Sequence, residues 1–281
     1  MAGSSFLKPS KSGMNIQLCR RRRLVWWISG FSLSLSFLGL MLSFLNPSIK
    51  APLRPGLDFT GGTQIQLERI CDSSCEPINP SSVSEVLRDL SLSIKSSETS
   101  FIPRISQAKV QLLDDSKSLV LRLPFLSAAE GQAVIAAVET VAGPFQPGGQ
   151  AIDTIGPSLG GQLLKSSVVS LVAAFSGIAI YISLRYDQRF AALALIALAH
   201  DVIIVCGIFA WLGLFFSLEV NSLFAVALLT IAGYSVNDTV VVFDRIRERG
   251  RLDSSLPLNE QIDRAVASTF TRTLYTSGTT L

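Results

Sequence analysis

The chain has 281 residues, of which 48% are hydrophobic and 16% are charged, and its formal net charge is +3. The mean hydropathy of +0.44 exceeds what a soluble domain usually needs. This composition argues against an ordinary soluble enzyme and favours a membrane protein.

Basic residues are concentrated near the N-terminus, where residues 1–23 carry Lys8, Lys11 and the run Arg20 to Arg23 and no acidic residue. Such a cluster can bind nucleic acid. Here it adjoins an apolar run, which favours a topology anchor on the cytoplasmic side of a membrane. We therefore expect no nucleic-acid partner.

Cysteine and histidine are too few for a four-ligand metal site. The only histidine is His200, inside an apolar run, and the cysteines are Cys19, Cys71, Cys75 and Cys206, so we expect no bound metal. Cys71 and Cys75 lie in the polar segment CDSSC. A disulfide, which needs an oxidising compartment, and two free thiols are both compatible with this spacing.

The first predicted element is a membrane helix at 24–45, a run without charge. Its 22 residues span roughly 33 Å as a helix, enough for the core of a bilayer. The run is long for the apolar part of a signal peptide and lacks a clear A-x-A cleavage site. We interpret it as an uncleaved anchor with Trp26 and Trp27 at the interface.

Residues 47–161 are polar and mixed, and they predict a domain outside the membrane. Alternation predicts strands at 64–68, 109–115, 117–125 and 150–156, and two helical patterns lie at 81–90 and 127–143. The second pattern has a capping box from Ser127 to Glu130 and ends at Gly143. The order strand, helix, strand, strand, helix, strand predicts a ferredoxin-like α+β sandwich.

Further apolar runs predict membrane helices at 162–184, 190–214 and 219–244, and residues 268–281 predict the start of a fifth. Arginines follow the second helix at Arg185 and Arg189 and the fourth at Arg245 to Arg251. Positive charge marks the cytoplasmic side. The predicted topology therefore places residues 1–23 and a loop at 245–267 in the cytoplasm and the domain at 47–161 outside.

Within the apolar runs 166–184, 190–218 and 220–243, the acidic, basic and histidine residues are His200, Asp201 and Asp238. Each costs a few kcal/mol to insert, so it usually has a partner or a task. Asp238 lies roughly 9 Å from the cytoplasmic end of its helix, and Arg272, early in the fifth segment, has a similar predicted depth. The two are candidates for a pair.

A proton-carrying carboxylate and a static ion pair are both compatible with Asp238. Burial disfavours its charged form and an arginine favours it, so a small movement of Arg272 would switch protonation. His200 and Asp201 are either functional or part of a satisfied interhelical hydrogen bond. Adjacent helical residues point about 100° apart and no nucleophile motif is present, which argues against a hydrolase.

Four separated motifs carry a family resemblance: GLDFTGGTQIQLE, ALAHDVI, GYSVNDTVVVFDRIRER and TRTLYTSGTTL. Together they resemble the SecD/SecF protein-export family, and the last three resemble its SecF type. SecD-type chains carry an aspartate-alanine-asparagine version of the fourth-helix motif and a larger external domain. The resemblance extends in order and spacing over residues 15–281.

The resemblance implies a polytopic membrane protein with the core of the resistance-nodulation-division (RND) transporters, six helices and an external domain after the first. It implies a proton-driven, non-enzymatic subunit in the plasma membrane or an internal membrane, which works with SecD and the SecYEG channel on unfolded preproteins. The coupling ion is the proton, with no other cofactor. Asp238 and Arg272 match the family's intramembrane pair, and Asn237 flanks it.

The glycine motif is implied to form the base of the external domain, through Gly56, Asp58, Phe59, Gly61, Gly62 and Thr63. It resembles a phosphate loop only superficially, because it lacks Gly-Lys-Ser/Thr. The family has complete fifth and sixth helices, whereas this sequence stops at Leu281, so we expect a fragment or a truncated protein. The alternatives are an RND-type proton-coupled exporter of small molecules or lipids and a scaffold that only holds SecD.

Overall fold

A computed structural model describes residues 18–71, 75, 77–95, 108–114, 116–252 and 255–280, with the backbone alone for 91–95, 277 and 280. The predictions that concern Lys8, Lys11 and Leu281 lie outside the described residues. The chain divides into two compact units. The first falls within Met1–Arg54, Leu171–Glu219 and Leu223–Leu281, and the second within Pro55–Ser170 and Val220–Ser222.

The helices of the described chain are α1 (Arg22–Leu45), α2 (Leu57–Thr60), α3 (Pro80–Lys95), α4 (Ala128–Ala142), α5 (Pro157–Arg185), α6 (Gln188–Phe215), α7 (Ser222–Leu252) and α8 (Leu258–Thr280). Within this part of the chain, α1, α5, α6 and α7 are the four helices long and apolar enough to cross a membrane. This confirms a multi-pass membrane protein.

The segment at 245–267, which the sequence analysis predicts as a loop, is helical over most of its described length. Helix α7 continues to Leu252, and α8 begins at Leu258. The cause is composition, because arginine and glutamate form helices well outside a bilayer too. Pairs within one helix, such as Arg245 with Glu248, add some support.

The second unit contains a four-stranded antiparallel sheet in the order β2-β3-β1-β4. The strands are β1 (Gly62–Arg69), β2 (Lys109–Leu113), β3 (Ser118–Leu123) and β4 (Phe145–Ile155). This order, with α3 after β1 and α4 after β3, is the predicted ferredoxin-like sandwich. Apolar and polar side chains alternate along β1, which gives the sheet one buried face and one exposed face: Ile65 and Leu67 are fully buried, whereas Gln66 between them is exposed.

Helix α4 begins and ends as its sequence predicts. The Ser127 hydroxyl and the Glu130 carboxylate form a capping box, and Gly143 ends the helix with a φ of +86°. In the loop after β1, Cys71 and Cys75 form a disulfide with their Cα atoms 5.3 Å apart. Of the two alternatives that the sequence left open, the structure has the disulfide.

Small residues bring α1 and α6 into close contact. Ser36 and Gly39 of α1 are buried, as is Gly207 of α6. A side-chain carbon at Gly207 would lie 2.5 Å from the Ser36 Cα, and one at Gly39 would lie 2.7 Å from the Trp211 ring nitrogen. The contact is therefore of the small-residue type that membrane helices use.

Candidate functional site

The helices α6 and α7 form the walls of a groove with a volume of about 710 Å³. Most of its lining is apolar, and its polar side chains are Asp201 on α6 and Thr230, Tyr234, Ser235 and Asp238 on α7. Ser235 and Asp238 are three residues apart and therefore share one face of α7. Two carboxylates thus face one groove inside membrane-spanning helices.

Arg272 lies on α8 and is exposed, whereas Asp238 is half-buried. The charge of Arg272 reaches Asp238 electrostatically. Among the described residues, no ion pair of 4.0 Å or less joins the two. The two predicted partners are therefore not joined by a direct ion pair in this structure, and their functional pairing stays a prediction. Asn237 is exposed and does not line the groove, as expected for a neighbour about 100° around the helix.

His200 and Asp201 form the centre of a hydrogen-bond chain that joins three helices. The Ser29 Oγ on α1 lies 2.7 Å from the His200 Nε2. The His200 Nδ1 lies 2.9 Å from the Asp201 Oδ1. The Ser235 Oγ on α7 donates to the Asp201 Oδ2 at 2.7 Å. Although adjacent helical positions diverge by about 100°, the side chains of His200 and Asp201 turn toward each other.

The order Ser29, His200, Asp201 is also that of a nucleophilic triad. Acyl transfer additionally needs hydrogen-bond donors for the oxyanion, which backbone N–H groups usually supply. Ser29 lies inside α1, where the neighbouring N–H groups donate to carbonyls one turn earlier. The arrangement therefore supports interhelical bonding and proton handling better than hydrolysis.

The glycine motif is shaped by backbone geometry. Gly61 and Gly62 have φ values of +69° and +128°, which disfavour any residue with a side chain. A side-chain carbon at Gly62 would also lie 2.6 Å from the Leu123 carbonyl oxygen. Thr63 is buried, and its hydroxyl accepts the Leu126 N–H at 3.0 Å. These residues form the start of β1.

Gly56 and Asp58 of the same motif form hydrogen bonds with Val220, just before α7, and with Ser222, the first residue of α7. The Gly56 N–H donates to the Val220 carbonyl at 2.8 Å. The Asp58 carboxylate accepts hydrogen bonds from the Ser222 N–H, at 2.9 Å, and from the Ser222 hydroxyl. Because Ser222 is the first residue of α7, Asp58 satisfies a helix N–H that has no partner within the helix. Phe59 is half-buried beside it.

A second polar cluster lies at the far end of α7. The Asp244 carboxylate pairs with the Arg185 guanidinium at 3.8 Å, and both are about half exposed. Burial, followed by the nearby Asp244 carboxylate, raises the pKa of Tyr186. Within the described residues, no group of three or more His, Cys, Asp and Glu side chains could hold a metal ion.

Ser29 and Ser235 are two residues of the hydrogen-bond chain that the sequence did not predict as site residues. The signal for Ser235 was its position three residues before Asp238, on the same helical face. Nothing in the sequence connects Ser29 with His200, because they are 171 residues apart.

The chain combines a core of membrane helices, in which two carboxylates face one groove, with an α+β domain that follows the first membrane helix. These features define a polytopic membrane protein of the transporter class.

Comparisons with known proteins identify the family within this class. Residues 135–281 match the family described as "Protein export membrane protein SecD/SecF, C-terminal". Residues 49–68 match the "SecD/SecF GG Motif". The chain is 56% identical to the protein translocase subunit SecF of Prochlorococcus marinus, over 93% of this chain and 80% of the relative. It is 38% identical to the SecF of Synechocystis, over 95% and 81%.

The crystal structure of SecDF from Thermus thermophilus, a translocon-associated membrane protein, is similar with a TM-score of 0.72 and 27% identity. The similarity covers 98% of this chain and 33% of the SecDF chain. This chain therefore belongs to the SecD/SecF family of protein export membrane proteins, and to its SecF type. The family resemblance and the predicted fold class are both confirmed.

Proposed function

We propose that this chain works with SecD and the SecYEG channel, and that it uses the proton gradient to assist a late stage in the translocation of unfolded preproteins. Family membership supports the translocation role. The similar SecDF structure is of a translocon-associated protein, which supports an association with SecD and the channel. No cofactor other than the proton is needed for this role.

One observation carries the proton-coupled role: Asp238, on the membrane-spanning helix α7, faces the groove between α6 and α7. A carboxylate at this depth is costly unless it has a partner or a task. Arg272 acts on it electrostatically without a direct ion pair. A movement of α8 that changed the distance between the Arg272 guanidinium and the Asp238 carboxylate would change the charge state that Asp238 prefers. Protonation and helix position are therefore coupled through this pair.

The test is the variant Asp238→Asn, which keeps the size and hydrogen bonding of the side chain but cannot ionise. Export is measured in proteoliposomes that contain this chain, SecD and SecYEG, with and without an imposed proton gradient. We expect the gradient-dependent part of export to be lost while assembly with SecD persists. Thr230→Val is the matched control, because Thr230 lines the same groove but its hydroxyl donates only to the Val226 carbonyl of its own helix.

If Asp238→Asn exports at the normal rate under a gradient, the proton-coupled role is wrong, and a scaffold that holds SecD becomes the better interpretation. Arg272→Ala should also reduce gradient-dependent export. Arg272→Lys should retain part of it, because it keeps the charge without the planar guanidinium. Asp244→Asn should have a mild effect, since that carboxylate is about half exposed and lies outside the groove.

The proposed topology has a cytoplasmic N-terminus and an external α+β domain, because arginines cluster after α5 and along the end of α7. Single cysteines at Ser116 and Arg247 test it with a membrane-impermeant thiol reagent. Ser116→Cys should be labelled in intact cells, and Arg247→Cys only after lysis. The reverse pattern would overturn the orientation.

A further inference from the structure

We infer that Asp201 is a second proton-binding carboxylate in the groove of Asp238, and that Ser235 and His200 are its positioning residues. This inference rests on the proposed proton-coupled function and extends it from one carboxylate to two. Its structural basis is the hydrogen-bond chain from Ser29 through His200 and Asp201 to Ser235.

The carboxylate of Asp201 is both held and accessible. One oxygen is bonded by the His200 ring and the other by the Ser235 hydroxyl. The side chain nevertheless remains 47% exposed, and it lines the same groove as Asp238. A groove of about 710 Å³ has room for several water molecules, since each occupies about 30 Å³ of liquid volume. In this inference, water bound by the polar side chains of the groove supplies a proton to Asp201 and accepts it back.

The chemistry of the partners fixes most of the hydrogen positions. A carboxylate oxygen only accepts, so the His200 Nδ1 must carry the hydrogen that points to Asp201. In a neutral ring the Nε2 then accepts, and the Ser29 hydroxyl donates to it. Ser29 thus holds the imidazole in the tautomer that Asp201 requires.

Protonation of Asp201 changes its bond to α7. When the Oδ2 of Asp201 takes a proton from a hydronium ion, a water molecule is left behind and the new O–H donates to the Ser235 Oγ. The Ser235 hydrogen, which pointed to Asp201, then turns away from it. Release of the proton to water regenerates hydronium and restores the Ser235 hydroxyl as the donor. One O–H bond forms and breaks in each cycle, and no other covalent bond changes. The reversal occurs three residues from Asp238 on the same face of α7.

The other charged or titratable groups near this site are few. Tyr234 and Asp238 of α7 line the same groove, and Arg272 of α8 acts on Asp238. Helix α1 contributes the neutral Ser29. Asp201 and Asp238 therefore line one groove from two different helices.

Infrared difference spectroscopy of the purified full chain between about pH 2 and pH 9 tests the inference, a range that brackets ordinary carboxyl groups and strongly raised ones. We expect Asp201→Asn to remove one carboxylic acid band and Asp238→Asn to remove another. Ser235→Ala should shift the frequency of the Asp201 band, because it removes a hydrogen bond to that carboxylate. Ser235→Thr, which keeps the hydroxyl, should restore the band position, and Thr230→Val should not change it.

Export under a proton gradient gives the second measurement. Asp201→Asn should reduce the gradient-dependent rate by about a hundredfold, the low end for loss of a proton-transfer group, and Ser235→Ala should shift the pH profile of that rate.

The outcomes separate this inference from the proposed function. If Asp238→Asn abolishes gradient-dependent export, but Asp201→Asn removes no carboxylic acid band and leaves the pH profile unchanged, Asp201 is a structural residue and the inference is overturned. If Asp238→Asn has no effect on export, the proposed function fails, whatever Asp201 does. If Asp201→Asn does not fold, an unshifted band and an unshifted profile in Ser235→Ala overturn the inference.

Discussion

The contact between α1 and α6 allows a sharp prediction for Gly207→Ala. The new methyl carbon would lie 2.5 Å from the Ser36 Cα, whereas carbon atoms pack best at about 3.5–4.0 Å. The obstacle is backbone, so α1 must move away by roughly 1 Å. A gap of this size forfeits about a quarter to a half of the dispersion attraction across the contact. The movement would also lengthen the 3.0 Å hydrogen bond from the Trp211 indole to the Leu35 carbonyl.

Overpacking of this kind costs about 3 kcal/mol when the obstacle cannot move aside. Alanine regains about 1 kcal/mol over glycine through its higher helix propensity. The expected net loss is therefore about 2 kcal/mol, which corresponds to a fall in the melting temperature of about 4–8 °C for a chain of this size. The melting temperature is measured in detergent as the temperature at which half of the monodisperse protein is lost on size-exclusion chromatography.

Gly177→Ala on α5 is the matched control. No atom lies within 4 Å of its added carbon, so only the propensity gain of about 1 kcal/mol applies and the melting temperature should stay or rise. If Gly207→Ala melts at the wild-type temperature while Gly177→Ala behaves as expected, the close contact between α1 and α6 does not exist in the protein in solution.

Further predictions concern the chain outside the membrane-spanning core of the helices. Burial, together with the hydrogen bond and the charge of Asp263, raises the pKa of the Cys19 thiol. Alkylation of Cys19 at about pH 8, followed by mass spectrometry, should therefore be slow, and it should become faster in Asp263→Asn. An unchanged alkylation rate in that variant would contradict the prediction. Asp58→Ala removes two hydrogen bonds to Ser222 and should cost about 3 kcal/mol, seen as faster amide exchange in the first turn of α7, whereas Asp58→Asn should be milder. Gly62→Ala combines a φ of +128° with a contact of 2.6 Å to a backbone oxygen of β3, so exchange of the β1 amides should increase by at least tenfold, the equivalent of about 1.4 kcal/mol.

Much of the fold could be predicted from the sequence because the signals are local. Charge-free runs gave the membrane helices, since a bilayer requires a minimum apolar length. Ser127, Glu130 and Gly143 marked the ends of α4, because capping depends on residues within one turn. The end of α7 was not predictable in the same way. Its apolar run ends near Asp244, but its arginines continue the helix to Leu252.

The candidate site was predictable only in part. Matching depth predicts that Asp238 and Arg272 form a pair, but no ion pair of 4.0 Å or less joins them among the described residues. Depth in the membrane fixes only one coordinate of each side chain, whereas an ion pair also requires that both helices are oriented about their axes so that the two side chains face each other. The bonds from Ser29 and Ser235 to the His200–Asp201 pair depend on helix packing over long sequence separations. Helical periodicity carries no information about which helices are neighbours.

Helix α7 is held by two kinds of contact that respond differently to protons. Ala232 and Val236 are buried against α5 and α6, and this apolar packing does not depend on the charge of any group. The polar interactions come from other helices: Asp201 accepts the Ser235 hydroxyl, and the charge of Arg272 acts on Asp238 without a direct ion pair. A change in proton occupancy therefore alters the polar contacts and leaves the apolar ones in place. It should bias α7 between closely related positions of one packed core, which is the small, discrete movement that the proposed proton-driven role requires.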